Sequence, residues 1–362
     1  MSLSVGIAGL PNVGKSTLLN ALTHAGAEAS NYPFCTIDQN VGTAPVPDPN
    51  LQLLAQILHP IEITPSSIRF VDIAGLVAGA SRGEGLGNQF LAHIRDMDAI
   101  LHVVRCFADA NVVHTAGEPD PVRDAGIVET EFLLADLDVA ERAFQKWTHA
   151  VRTGSPEAKE EAAAFEHVAG ALRRGTPVRD LKLTAKEQAL LADVRFLTAK
   201  PFLYIANTGE DDPHGNGALV AALRQAKGAD RVLAVSVRVE AEIAELPDDE
   251  QRVFLEEMGL EATALDMVIA ACARLLDLIT FYTIANDKLR AWQLRRGATV
   301  VEAAAKIHSD MATGFIRAEV MGLADLVHWR GRQALHEHGL VHVVGRDHVV
   351  HDKDVLQILF KA

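Results

Sequence analysis

Two rhythms of apolar residues alternate along the first two thirds of the chain. Short, nearly continuous apolar runs at Leu3–Ile7, Ser67–Asp72, Ile100–Arg105, Pro201–Ala206 and Arg231–Ser236 have the length and composition of buried strands. Between them lie segments whose apolar residues recur every three or four positions, as in Thr17–Leu22 and Asn88–Met97. Residues 24–48 read as a polar connection rich in Gly, Asn and Pro. Strands alternating with helices in this way predict an α/β fold with a parallel sheet closed by crossovers. In such a sheet the ligand lies beyond the C-terminal ends of the strands.

The stretch before the run at 201 is longer than a crossover needs. Leu133, Leu137, Ala140, Phe144, Trp147 and Val151 recur at helical spacing. So do Ala158, Ala162, Phe165, Ala169 and Leu172, after a break at Gly154-Ser-Pro156. This predicts a helical hairpin with an apolar seam, an antiparallel coiled coil. Thr184 and Glu187 form a capping box that opens a third helix. From about Thr280 the texture changes to short strand-like runs, with a helix over 299–309, a hairpin about Gly345 and a final strand Val355–Phe360. One helix on a small mixed sheet predicts a β-grasp. The expected division is a nucleotide-binding domain at 1–125 and 199–278, a helical insertion at 126–198 and a tail domain at 279–362. The tail hairpin carries histidines, but no acidic or Cys partner has metal-ligand spacing in the sequence, so no metal site is expected there.

The candidate chemistry sits where the strands end. Gly9-Leu-Pro-Asn-Val-Gly14-Lys15-Ser16 is a phosphate-binding P-loop between a strand and a helix. Its glycines let the backbone turn so that N–H groups and a helix N-terminus point at one anion. Asn12, Val13, Gly14, Lys15, Ser16 and Thr17 are the expected phosphate cradle, with Lys15 reaching the terminal phosphates and Ser16 holding Mg²⁺. Thr36, on the connection that follows, suits a switch that closes on Mg²⁺ and the γ-phosphate. Asp72-Ile-Ala-Gly75 gives the D-x-x-G pattern: a strand-end carboxylate for Mg²⁺ and, at Gly75, an N–H for the γ-phosphate. The next residue is Leu76, where GTP-hydrolysing switches carry the Gln that orients water. Leucine has no donor or acceptor, so catalysis is slow or another group reaches in. His114, on the loop after Ile100–Arg105, is either a solvated surface group or that substitute, because an imidazole can orient water at neutral pH.

Asn207-Thr208-Gly209-Glu210 ends the next strand, where guanine-binding proteins place N-K-x-D. Thr208 has no long stem to cover a base, and Glu210 is one methylene longer than Asp. Asn can pair with adenine N6 and N7. ATP is the expected substrate, with a plain strand-ending turn and a GTPase with Glu210 standing in for Asp as the alternatives. Ser236-Val237, at the last strand's end, is placed to close over the base.

Bulk properties narrow the function classes. The net charge of −14 argues against whole-protein affinity for nucleic acid or anionic membrane. The stretch from Thr280 onward carries 11 Lys/Arg against 9 Asp/Glu and seven of the fifteen histidines, which permits an RNA-facing surface at that end. Three widely spaced cysteines fit neither a disulfide framework nor a zinc pattern and point to a reducing, cytoplasmic compartment. No signal peptide is expected ahead of the P-loop strand, and no apolar run approaches the roughly 20 residues that span a bilayer.

The chain resembles the YchF / Obg-like ATPase family of P-loop proteins along its whole length. The resemblance is carried by Gly9–Thr17, Asn31-Tyr-Pro-Phe-Cys-Thr36, Phe70-Val-Asp-Ile-Ala-Gly-Leu76, Gly83-Glu-Gly-Leu-Gly-Asn-Gln-Phe90 and His102-Val-Val-Arg-Cys-Phe107. In the tail, Lys306-Ile-His-Ser-Asp310 and Gly314-Phe-Ile-Arg-Ala-Glu319 match the domain called TGS. The resemblance implies a slow ATPase that prefers ATP to GTP and associates with ribosomes, the large subunit and RNA contacts through the TGS domain and coiled coil included. It implies a hydrophobic residue in place of the catalytic Gln, matched by Leu76, and a loop His, matched by His114. It implies K⁺ beside the phosphates at Asn12, and adenine near Asn207 and Thr208 with Phe107 lining the pocket. The family's Ser-Ala loop is here Ser236-Val237, with a bulkier side chain near the base.

Overall fold

In a computed structural model, residues 3–24, 40–73, 86–109, 112–114, 117–152, 157–257 and 262–361 are described. β1 (Ser4–Ala8) leads through the P-loop into α1 (Lys15–His24). β2 (Val41–Pro45), α2 (Pro49–Leu58), β3 (Glu62–Thr64), β4 (Ser67–Asp72), α3 (Leu86–Arg95) and β5 (Ala99–Cys106) follow. Next come the long α4 (Pro121–Arg152), α5 (Ala158–Arg173), α6 (Ala185–Leu191), β6 (Phe202–Thr208) and β7 (Val232–Val235). These strands, β3 apart, form one sheet in the order β2-β4-β1-β5-β6-β7. All neighbours are parallel except β2, which runs antiparallel to β4. β1, β5 and β6 are buried at every residue, as strands covered on both faces must be. The connection expected over 24–48 therefore holds an edge strand, β2. Its short run Val-Gly-Thr-Ala-Pro has too little apolar character to announce itself.

One helix serves two cores. In the first half of α4, Ala125, Val128, Phe132 and Ala135 recur at spacings of three and four and pack under the parallel sheet. Beyond them Ala140, Phe144 and Trp147 meet Phe165, Val168 and Leu172 of α5 in a separate cluster. The predicted helical hairpin is thus present, and α6 opens with the Thr184–Glu187 capping box. Asp136, fully buried, anchors the arm's root by accepting from Leu197 N (3.0 Å), Thr198 N and Thr198 Oγ1 (both 2.7 Å). Burial pushes its carboxyl pKa up, and these donors pull it back.

The tail contributes β8 (Leu278–Ala285), β9 (Lys288–Arg295), β10 (Phe315–Gly322), β11 (His342–Val344) and β12 (Asp354–Phe360), in the order β11-β10-β12-β8-β9-β3. The helix Val300–Ile307, capped by Thr299 and Glu302, packs on it. The hairpin expected about Gly345 is absent: β11 pairs with β10, and Val349 instead bridges Thr299. The sixth strand, β3, is lent by the amino-terminal part of the chain and pairs parallel with β9. α2 rides with it, its Leu51 and Leu54 packed with Tyr282, Leu289 and Leu326. Tyr282 Oη donates to Asp48 (2.8 Å) and Gln293 Nε2 to Ser66 Oγ (2.9 Å) across the same seam. Asp98 accepts from Ser4 N (2.9 Å) at the start of β1 and from Arg295 (3.0 Å) in the tail. The tail sheet is therefore tied directly to the strand that leads into the P-loop. Among the described residues no helix is long and apolar enough to cross a membrane.

Candidate functional site

The P-loop backbone has the shape its glycines allow. Gly9 (φ 155°) and Gly14 (φ 96°) sit where a side chain is excluded. A Cβ on Gly9 would lie 2.5 Å from Val103 O, and one on Gly14 2.5 Å from Asn207 Nδ2. Asn12 takes the left-handed conformation (φ 61°), which Asn tolerates better than most residues, and its Nδ2 donates to Val113 O (3.2 Å). Lys15 is buried and its Nζ donates to Leu10 O at 2.9 Å. Burial holds the ammonium pKa below its ordinary value, with Asp72 pulling the other way. An arriving phosphate would supply the counter-charge the lysine lacks.

Ser16 Oγ donates to Asp72 Oδ2 at 2.5 Å although the two are 56 residues apart. The register of β1 on β4 places Ile7 opposite Asp72, so both strands end at the same level and deliver P-loop and carboxylate together. Asp72 Oδ1 is buried with no hydrogen-bond partner among the described residues. A hydroxyl and a carboxylate with an unsatisfied oxygen form the hard-oxygen donor set that suits Mg²⁺, so the residues fit the ion. Thr36, Gly75 and Leu76, the remaining sequence candidates for metal and γ-phosphate, lie outside the described residues.

Beside the cradle opens a cleft of about 990 Å³. Asn12, Gly14 and Thr17 form its phosphate end, and Phe107, Thr208 and Val237 are among the residues of its walls. Asn207 works as a strut between two loops: its Nδ2 donates to Val13 O (2.9 Å) and its Oδ1 accepts from Val237 N (3.2 Å). Each end of the amide that was expected to read adenine thus holds one backbone partner, which leaves one N–H and one lone pair for a base. Thr208 and Ser236 are buried, and neither hydroxyl has a partner among the described residues. Ser236 lines a separate cavity of about 200 Å³, and Val237 lines the cleft. Glu210 pairs with Arg238 at 2.9 Å, both on the cleft lining.

The loop after β5 is built around a residue the motif search passed over. Arg105 is 2% exposed near the end of the fully buried β5. Its guanidinium donates to Phe107 O (3.1 Å), Asp109 O (3.1 Å) and Val112 O (3.0 Å) and lies 4.5 Å from the Phe107 ring centroid. The signal was present in the sequence, because a cation inside a buried strand must find acceptors nearby. The same loop carries His114, which is not solvated: its side chain is 6% exposed and its Nε2 lies 2.8 Å from Asp124 Oδ2. Arg123 holds the other oxygen of Asp124 at 2.9 Å. His114 is not among the described residues that line the cleft, whereas its neighbour Val113 is. Nothing in the sequence marked Asp124 as its partner.

Comparison with known proteins adds the following. Residues 4–124 match a family model described as a 50S ribosome-binding GTPase, and residues 278–361 match the YchF-GTPase C-terminal model, described as a protein of unknown function, DUF933. The chain is 47% identical over 364 residues to the protein named ribosome-binding ATPase YchF of Haemophilus ducreyi, covering 100% of both chains. It is 46% identical over 363 residues to the protein of that name from Escherichia coli O157:H7, again covering 100% of both. Among solved structures, that of the Schizosaccharomyces pombe YchF GTPase superposes with a TM-score of 0.88 at 30% identity, over 99% of this chain and 98% of that one.

Proposed function

The chain belongs to the YchF family of P-loop proteins, and from that premise we propose that it binds ATP in preference to GTP, hydrolyses it slowly and switches its association with the ribosome by nucleotide state. One observation carries the nucleotide chemistry: Ser16 Oγ and Asp72 Oδ2 meet at 2.5 Å, beside a buried lysine, at the level where two parallel strands end. Mg²⁺ would be held by Ser16 and Thr36, with Asp72 acting through water, and when bound would neutralise charge on the β- and γ-phosphate oxygens. Lys15 exchanges Leu10 O for a phosphate oxygen, and the amides of the P-loop and of Gly75 hold the γ-phosphate in line with a water. Asn12 uses its N–H on Val113 O, so its side-chain oxygen is the atom that would meet K⁺. His114 orients the attacking water. Since it is packed against Asp124, that role requires the loop to turn it toward the cleft. His114→Ala is expected to slow turnover about 10²-fold with nucleotide affinity unchanged; unaltered turnover would remove it from the mechanism.

The base preference rests on the departure of Asn207-Thr208-Gly209-Glu210 from N-K-x-D, and the Glu210–Arg238 pair supports it by engaging one oxygen of the carboxylate that guanine's N–H groups would need. The names of the relatives differ on this point, ATPase for the bacterial proteins and GTPase for the fission-yeast structure. Competition of ATP and GTP for one labelled analogue decides it. ATP is expected to displace the label at the lower concentration, and equal or better displacement by GTP would make this an Obg-type GTPase.

Leu76 favours a further reading of the biological role, in which hydrolysis is a timer and the output is a contact with ribosome or RNA in translation or stress regulation. That contact would be made in the cytoplasm, with the large subunit, through the helical arm and the tail domain. Co-sedimentation with ribosomes is expected to differ between a non-hydrolysable ATP analogue and ADP; equal recovery would argue against gating.

A further inference from the structure

The segment from β11 to the first residue of β12 gathers three metal-ligating side chains spaced three residues apart. Val300 N donates to His348 O (2.8 Å) and Val350 N to Ala298 O (3.0 Å), which fixes the His348 backbone at the start of the helix Val300–Ile307. Three residues on, His351 N donates to Asp354 Oδ2 (2.9 Å) and Asp354 N to His351 O (3.2 Å), closing a tight turn. Lys353 occupies that turn in the left-handed region (φ 71°) and donates its N–H to Thr280 O (2.7 Å). The turn doubles the chain back. One ligand atom from each of His348, His351 and Asp354 then lies within 4.8 Å of the others, with His351 Nδ1 3.8 Å from Asp354 Oδ2. The acidic partner judged missing from the hairpin is thus delivered by the turn, six positions after His348.

A second observation points to a ligand. His348 Nε2 is buried and has no hydrogen-bond partner among the described residues. A buried nitrogen left unpaired carries an unmet hydrogen-bonding demand, which coordination would meet. We propose that His348, His351 and Asp354 form a site for one divalent transition-metal ion of the zinc class, which ties the start of β12 to the start of the helix Val300–Ile307. Two imidazoles and one carboxylate suit Zn²⁺ rather than Mg²⁺ or Ca²⁺, which take oxygen ligands. Bonds of about 2.0–2.2 Å in a tetrahedron set ligand atoms about 3.3 Å apart. His351, 73% exposed along its side chain, has the freedom to close the remaining gap. Three protein ligands leave a fourth position to water.

The test uses the full chain, stripped with a chelator and held in excess Mg²⁺, titrated with zinc chloride by calorimetry and followed by thermal melting. Wild type is expected to take up one equivalent and melt at a higher temperature, since an ion that binds only the folded state stabilises it. His351→Ala and His348→Ala should each weaken uptake by at least about tenfold, because losing a direct ligand costs no less than losing its outer hydrogen-bond partner, about 10- to 100-fold. Both should leave nucleotide binding unchanged. If His348→Ala folds poorly, the exposed position 351 still decides. Zinc uptake by His351→Ala equal to wild type, or no uptake by wild type below millimolar zinc, would overturn the proposal.

Discussion

Replacing Arg105 by lysine keeps the charge and removes the fork that shapes the loop above the cleft. The guanidinium holds three carbonyls at 3.0–3.1 Å and stacks on Phe107, and the lysine ammonium cannot match that planar set. A hydrogen bond to a charged group contributes about 1.5–3 kcal/mol. An opened loop returns most of its carbonyls to water, so the loss not recovered is taken as about one such bond. That lowers the closed-to-open ratio about 10- to 150-fold, and once the open loop predominates apparent affinity falls by the same factor. Arg105→Lys is therefore expected to bind a fluorescent ATP analogue about 10- to 150-fold more weakly. Turnover should fall as well, because the same loop carries both Phe107 and His114. Equilibrium binding and phosphate release measure the two effects, with far-UV circular dichroism confirming the fold. Wild-type affinity and turnover in this variant would refute the claim that Arg105 builds the loop.

Gly14→Ala places a methyl 2.5 Å from Asn207 Nδ2 at φ 96° and should cost about 1–3 kcal/mol of stability together with nucleotide binding, read by denaturant titration and calorimetry; a silent variant would contradict the strut. His102 packs edge-on against Phe202 and tilted against Tyr204, with ring centroids 5.5 Å away in each case, and burial lowers its pKa to about 3. The unfolded chain, with its imidazole near 6.5, binds the extra proton between those values. Stability should therefore fall as pH drops through that window, by about 2 kcal/mol at pH 5. His102→Leu should flatten the curve by that amount, and parallel pH profiles would count against it. Asp98→Ala releases both Ser4 and Arg295 and should lower stability by about 1–3 kcal/mol, with an unchanged melting curve showing that the seam is not held there.

What was legible in the sequence had a local cause. The strands at 4, 100 and 202 are continuous apolar runs whose burial on both faces dictates their composition, and the P-loop and the strand-end Asp72 follow from motif spacing. The capping box at Thr184 and the alternating seam of the arm were readable for the same reason. The features that escaped depend on distant partners. β3 is three residues long with alternating exposure, and only its pairing with β9 makes it a strand. The segment after Gly345 has hairpin-like alternation, but Thr299 competes for Val349 and wins. At the site, Lys15, Ser16 and Asp72 followed from motif spacing, whereas the Asn207 strut and the His114–Asp124 pair depend on which backbone groups the fold brings close.

The central claim, that a triphosphate occupies the amide cradle and draws Lys15 away from Leu10 O, is tested most directly by calorimetric titration of Lys15→Ala with ATP and Mg²⁺ beside wild type. Losing one charged contact to phosphate is expected to weaken binding about 10- to 150-fold and to abolish measurable phosphate release. Unchanged affinity with normal release would contradict it.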